Sequence, residues 1–283
     1  MKRRSVNALV VEGGGMRGVF AAGVLDCFLE KQFDPFDAYF GASAGACNIS
    51  SHLGKQHGRN YRCYTDYMLK PEFFSLKKYV RGGHYMDLDW FWDYLSRVEP
   101  LNAAGASKRE FYMGVTNVRT GRSEYFRARE ETLFDVLKAS SALPVMYRKP
   151  IRVNGAEYVD GGVADAIPVR EAYRRGARRI MVVRSQPAGY IKKSFLESTC
   201  IPLLFSRAPA LRRALRQREA GYNEVVDFLK NPPEDAEILE ICPARLHSGR
   251  TTRDRALLEK DYAEGRRMGL SAIQRWLKIC SQP

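Results

Sequence analysis

The run Asp37-Ala38-Tyr39-Phe40-Gly41-Ala42-Ser43-Ala44-Gly45 decides how the rest of the chain is read. Residues 37–40 suit a short strand, and residues 47–53 continue as a helix. Between them stands a G-x-S-x-G elbow, which lifts a serine hydroxyl to the mouth of a sheet. Glycines on both sides let the backbone turn sharply and leave Ser43 uncrowded. The helix that follows points free N–H groups and its positive dipole end at the same place. Small residues at Ala42, Ala44 and Ala46 suit a tight elbow.

Upstream, the valine-rich stretch Val6 to Val11 reads as a buried strand. It leads into Glu12-Gly13-Gly14-Gly15-Met16-Arg17-Gly18 and then a helical pattern from Val19 through Leu29. Strand, glycine loop and helix open an α/β layered domain. Gly13, Gly15 and Gly18 also satisfy the dinucleotide-binding fingerprint, which wants an acidic residue closing the second strand. Asp34 precedes a proline turn and Asp37 starts its strand, so neither fits. The elbow has no task in that fold either.

Downstream, residues 60–95 are dense in aromatics, among them Tyr64, Phe73, Phe74, Phe91 and Trp92. Such a region either lines a greasy groove or forms a bulky helical layer. Residues 111–117 and 123–126 read as neighbouring strands, and residues 131–141 as a helix stopped by Pro144. Asn154-Gly155 marks a hairpin between 151–153 and 157–159. That hairpin delivers Asp160-Gly161-Gly162. A helix from Pro168 to Arg175, a buried strand at 180–183 and a last strand at 236–241 follow. Two helices are expected from Arg253 onwards. Tyr222-Asn223 and Pro232-Pro233 read as joints inside one fold, and a basic helical region covers about 189–231. The whole chain, 1–283, reads as one domain.

Of the 283 residues 45% are hydrophobic, so a sizeable core is expected and a mainly disordered state is not. Lys and Arg total 46 against 32 Asp and Glu, a formal net charge of +14. The excess favours anionic partners without choosing among phospholipid surfaces, nucleic acid and charged substrates. The arginine pairs at 174–175, 178–179 and 212–213 build no recognisable nucleic-acid reader. Six cysteines without a C-x-x-C pair read as reduced and mostly buried. Met1-Lys2-Arg3-Arg4 imitates the start of a signal peptide, but Glu12 and the glycines end its apolar run too early. No run approaches the ~18 apolar residues of a span. A cytoplasmic protein that touches the inner membrane face peripherally is expected.

A serine nucleophile needs a proton acceptor, and oxyanion donors for its tetrahedral intermediate. Gly13, Gly14 and Gly15 can present such N–H groups as a nest. His52 and His57 lie in or just past the elbow helix, pointing away from its start. His84 sits in a loop, and His247 is late in the chain. Asp160, between an apolar strand end and two glycines, is the better base.

Four motifs in order then resemble the patatin-like phospholipases. They are Gly13-Gly14-Gly15-Met16-Arg17-Gly18, Gly41-Ala42-Ser43-Ala44-Gly45, Ala139-Ser140-Ser141-Ala142-Leu143-Pro144 and Asp160-Gly161-Gly162. The resemblance implies a three-layer α/β/α fold with a mostly parallel central sheet. It implies a Ser43–Asp160 dyad in place of a triad, and an oxyanion hole from Gly13, Gly14, Gly15 and Met16. Arg17 would brace the loop or meet an anionic head group, and Gly18 closes the loop. The substrates implied are acyl esters of phospholipids, lysophospholipids or neutral lipids, with no metal or organic cofactor. Beside this stand a general carboxylesterase for small soluble esters and a non-catalytic protein that binds anionic lipid through its basic face.

Overall fold

The computed structural model describes residues 6–193, 200 and 204–281. The N-terminal Met1-Lys2-Arg3-Arg4 and, within the basic region expected at about 189–231, residues 194–199 and 201–203 lie outside them. At the centre is β1 (Val6–Val11), with β2 (Ala38–Ala42) parallel on one side. Next to β2, and parallel to it, runs β3 (Glu110–Asn117). The antiparallel β4 (Ser123–Arg127) pairs with β3. A hairpin of β5 (Ile151–Val153) and β6 (Ala156–Asp160) turns at Asn154-Gly155, both at positive φ, and β6 also pairs with β3. On the far side of β1 lies the parallel β7 (Ala177–Val183), then β8 (Glu237–Ile241). Among the described residues eight strands thus form one sheet of order β5-β6-β3-β2-β1-β7-β8, with β4 beside β3.

The helices in chain order are α1 (Val19–Glu30), α2 (Ala44–Leu53), α3 (Arg59–Arg62), α4 (Leu76–Val80) and α5 (Leu88–Val98). They continue as α6 (Ala103–Ser107), α7 (Leu133–Ser141), α8 (Val169–Arg174), α9 (Pro209–Lys230) and α10 (Arg255–Cys280). The period of two along β1 divides them into layers. Leu9 and Val11 pack with Phe20, Val24, Phe28, Ile49, Val136 and Trp276, from α1, α2, α7 and α10. Ala8 and Val10 face the other way, onto Val169, Ala172, Tyr222, Val225 and Leu229 of α8 and α9. Both faces of β1 are covered, which is why its sequence runs apolar without alternation. The result is a three-layer α/β/α sandwich.

Two expectations about the helices and one about the cysteines are corrected. The end of the chain is one 26-residue helix, α10, where two were expected. Its Gly265 and Gly269 do not break it; they let α1 come close. A Cβ on Gly265 would overlap the carbonyl oxygen of Phe20. Tyr222-Asn223 is no joint, since both residues lie inside the 22-residue α9, with Tyr222 buried. Pro209 begins that helix at its first turn, where a missing N–H costs nothing. All six cysteines are free, but only Cys27 and Cys63 are fully buried. No helix among the described residues is long and apolar enough to cross a membrane.

Candidate active site

β3 brings the side chains of Ser43 and Asp160 together. β4 occupies one edge of β3 along Tyr112–Thr116, so its other edge is shared end to end by β2 and β6. Ala42, the last residue of β2, pairs with Gly114, and Asp160, the last of β6, pairs with Val115. Ser43 therefore leaves its strand where Asp160 arrives.

The elbow itself is strained. Ser43 sits at φ 54°, ψ −128°, a region that costs a non-glycine residue about 1–3 kcal/mol. Its glycines serve close approach more than rotation. A Cβ on Gly45 would overlap the carbonyl oxygen of Val11, and one on Gly41 would lie 2.7 Å from the Ala46 nitrogen. The strain is held by Ser140, whose Oγ accepts the Ser43 N–H at 2.7 Å and donates to the Gly114 carbonyl at 2.7 Å.

Ser43 Oγ donates to Asp160 Oδ2 at 2.7 Å. The other carboxylate oxygen accepts the Gly162 N–H at 2.7 Å, and Thr116 Oγ1 donates to the Asp160 carbonyl at 2.9 Å. Both Ser43 and Asp160 are buried, at 8% and 4% exposure. Burial pushes the Asp160 carboxyl above its ordinary range, opposed by the charge of Arg218, the Ser43 hydroxyl, the Gly162 N–H and Arg250. A raised carboxylate is a stronger base than one in water, while the opposing contacts favour its ionised form.

The glycine loop lies beside the elbow. Gly13 donates its N–H to the Ala166 carbonyl at 3.0 Å, and Met16 donates to the Arg250 carbonyl at 3.1 Å. Two of the four expected oxyanion amides are thus engaged elsewhere. The N–H groups of Gly14 and Gly15 have no partner among the described residues. Gly15 has φ 59°, natural only to glycine, whereas Gly14 is extended and is small for another reason. A Cβ there would stand 2.6 Å from Ser185 Oγ. Arg17 braces the loop through Nε to the Gly14 carbonyl at 3.3 Å, and the Gly18 carbonyl accepts the Asn48 side chain at 2.8 Å.

None of the four histidines lines the cleft that holds Ser43. His52 is buried in the last turn of α2, near Asp34. His84 stacks on Tyr147, and His247 pairs through Nδ1 with the buried Asp261 at 2.8 Å. The cleft wall is instead apolar: Tyr64, Phe73, Phe74, Phe91, Trp92 and Met146 face it. The aromatic region is therefore both a packed layer and a groove lining. Among the described residues no group of three or more His, Cys, Asp or Glu is arranged to hold a metal ion.

Beneath the glycine loop lies a charged network that local reading of the sequence missed. Arg184, 1% exposed, donates Nε to Glu12 Oε2 at 2.9 Å, one terminal nitrogen to Glu240 at 2.6 Å and the other to the Tyr222 hydroxyl at 2.9 Å. Tyr222 donates to Glu12 Oε1 at 2.8 Å, and the Ser185 N–H to Glu12 Oε2 at 2.7 Å. The carboxylate that precedes Gly13 is thereby fully satisfied, as a buried charge must be. Four separate segments meet there, and no short motif announces them.

Comparison with known proteins bears on the family and the fold. A family model described as patatin-like phospholipase matches residues 9–173, and one described as a domain of unknown function (DUF6363) matches residues 208–281. The uncharacterized protein YjjU of Escherichia coli is 38% identical over 269 residues, 93% of this chain and 75% of that protein. The lysophospholipase NTE1 of Lodderomyces elongisporus is 25% identical over 190 residues, and that of Candida albicans 24%. Those matches take in 62% of this chain but only 12% and 13% of the NTE1 proteins. Among solved structures, VipD from Legionella pneumophila shares the fold, with a TM-score of 0.55 at 14% identity, over 96% of this chain and 67% of that one. The chain belongs to the patatin-like phospholipase family, and so to the hydrolases.

Proposed function

We propose that this protein is a serine acyl hydrolase that cleaves fatty-acyl esters of phospholipids or lysophospholipids through Ser43 and Asp160. The observation that carries the reading is the 2.7 Å hydrogen bond from Ser43 Oγ to Asp160 Oδ2, at the foot of an aromatic-lined cleft. Ser43 Oγ attacks the ester carbonyl carbon while its proton passes to Asp160 Oδ2. The oxyanion is held by the Gly14 and Gly15 amides, with help from the dipole of α2. The intermediate collapses, the C–O bond to the glycerol breaks, and Asp160 returns the proton to the departing alkoxide. Water then gives a proton to Asp160 and attacks the acyl-enzyme, releasing the fatty acid and restoring Ser43.

The wall of Phe73, Phe74, Phe91 and Met146 suits a long acyl chain better than a small soluble ester. Contact with an anionic membrane is supported by two exposed patches. Leu76 and Val80, 66% and 77% exposed on α4, stand beside Lys77 and Arg81, and the same segment begins and ends on the cleft residues Phe74 and Met86. Leu204, 69% exposed, precedes Arg207, Arg213 and Arg216. Leu211 and Leu215, by contrast, pack on Val159 and Val163, so the leucines of α9 complete the core. Six free cysteines favour a reducing compartment.

The test is fatty-acid release from lysophosphatidylcholine micelles by the purified protein and its Ser43→Ala variant. Release by the first and not the second is expected. No release, or equal release by both, would refute the reading.

A further inference from the structure

Arg218 projects from the middle of α9, far in sequence from every motif. Its Nε donates to the Gly162 carbonyl at 2.8 Å. Gly162 in turn donates its N–H to Asp160 Oδ1 at 2.7 Å, so one glycine carries the arginine on its carbonyl and the aspartate on its amide. A terminal nitrogen of Arg218 stands 3.8 Å from where a Cβ on Gly162 would be. Both Arg218 and Asp160 line the cleft that holds Ser43. The anchorage of α9 is firm: Tyr222, one turn on, is buried between Arg184 and Glu12. Arg250, from the loop before α10, holds the glycine loop through its carbonyl.

We infer that the segment 208–281 completes the active site, with Arg218 as the positioning residue of Asp160. Arg218 fixes the Asp160-Gly161-Gly162 turn and supplies a charge that keeps the buried carboxylate ionised. Arg250 supports the oxyanion loop from the other side. The segment whose family model is described as a domain of unknown function thereby acquires a task in the chemistry of its neighbour. This inference rests on the Ser43–Asp160 reading.

A pH profile separates the role from a merely structural one. The groups facing Asp160 are the Ser43 hydroxyl at the elbow, the Gly162 amide, the Cys47 thiol of α2, Arg218 of α9 and Arg250. Arg218 is the foremost charge opposing the effect of burial. The base works as a carboxylate, so activity falls as pH drops through its pKa. Removing a nearby cation raises that pKa, and the acid limb moves to higher pH. A nearby opposite charge shifts an aspartate by about 1–3 units, so Arg218→Gln should move the acid limb of kcat/KM for a p-nitrophenyl ester up by about one unit. Well below the limb this is about a tenfold loss. Arg218→Lys keeps the charge but not the guanidinium bond to Gly162, so its limb should stay within a few tenths of wild type while kcat falls. An unmoved limb in Arg218→Gln overturns the inference. So does a Lys variant whose limb moves by a full unit, a result that is informative even if the Gln variant folds poorly. Ser43→Ala runs as the control. If it retains activity, the dyad reading has failed; if it is dead and Arg218→Gln has a wild-type limb, only the role of Arg218 has failed.

Discussion

Residues 9–173 and 208–281 differ in almost every respect a reader of sequences would notice. The first region carries four glycine- and serine-rich motifs and matches a well-described family. The second is basic, helical and without a motif, and the family model that matches it is described as a domain of unknown function. In the folded chain the contrast softens. The second region supplies β8 to the sheet, buries Trp276 against Phe36, and sends Arg218, Tyr222 and Arg250 to the two loops that flank Ser43. The atoms proposed to react come from one region, and much of what holds them comes from the other. Motifs mark where a backbone must do something unusual. Support is delivered through helix faces and long side chains, which need no special backbone.

That division is open to attack, and the heaviest blow should fall in the first region. Ser43→Ala and Asp160→Asn should each lower p-nitrophenyl ester hydrolysis by several orders of magnitude, with circular dichroism near wild type. The double variant should be little worse than either, because members of one catalytic unit are strongly non-additive. His247→Ala should leave turnover alone; loss there, with an active Asp160 variant, would restore a triad.

The next effect sharpens the account of the glycine loop. A side chain at Gly14 meets Ser185, so even Gly14→Ala must displace the loop. Loss of one aligned donor is worth about 3 kcal/mol in the transition state, so kcat should fall by two orders of magnitude or more while KM barely changes. A defect confined to KM would show that these amides do not meet the oxyanion.

A smaller effect is expected in the second region, on stability. Tyr222→Phe removes the hydroxyl that joins Glu12 to Arg184. Hydrogen bonds to charged groups contribute about 1.5–3 kcal/mol. At about 2–4 °C per kcal/mol for a chain of this size, thermal unfolding should come several degrees early. An unchanged Tm would mean that α9 is not anchored through this hydroxyl.

Why one region was legible and the other was not follows from the same contrast. The elbow declared itself because Gly41 and Gly45 are imposed by atoms only a few residues away or on the adjoining strand. Asp160 could be located because Asn154-Gly155 closes its hairpin over two residues. Arg218 and Glu12 are linked through pairings more than 50 and 170 residues apart, for which no local spacing exists. The same limit explains the two misreadings. Tyr222-Asn223 looks like a joint until the burial of Tyr222 between Arg184 and Glu12 is known. The glycines of α10 likewise acquire meaning only from the closeness of α1.

The smallest effect concerns the surface. Leu76→Ser with Val80→Ser, and separately Arg212, Arg213 and Arg216 all to Glu, should weaken sedimentation with anionic vesicles and slow hydrolysis of vesicle lipid. Each Lys or Arg near such a surface contributes about 1 kcal/mol, so the second set should respond more strongly to salt. Turnover of a small soluble ester should be nearly unchanged in both. Equal loss on both substrates would indicate damaged packing rather than lost contact.

The most direct test of the central claim is covalent labelling. The intact protein is incubated with a fluorophosphonate probe, digested and mapped by mass spectrometry. A single adduct on Ser43, slowed strongly in Asp160→Asn, is the predicted result. An unlabelled Ser43, or a label on another serine while ester hydrolysis proceeds, would contradict the account.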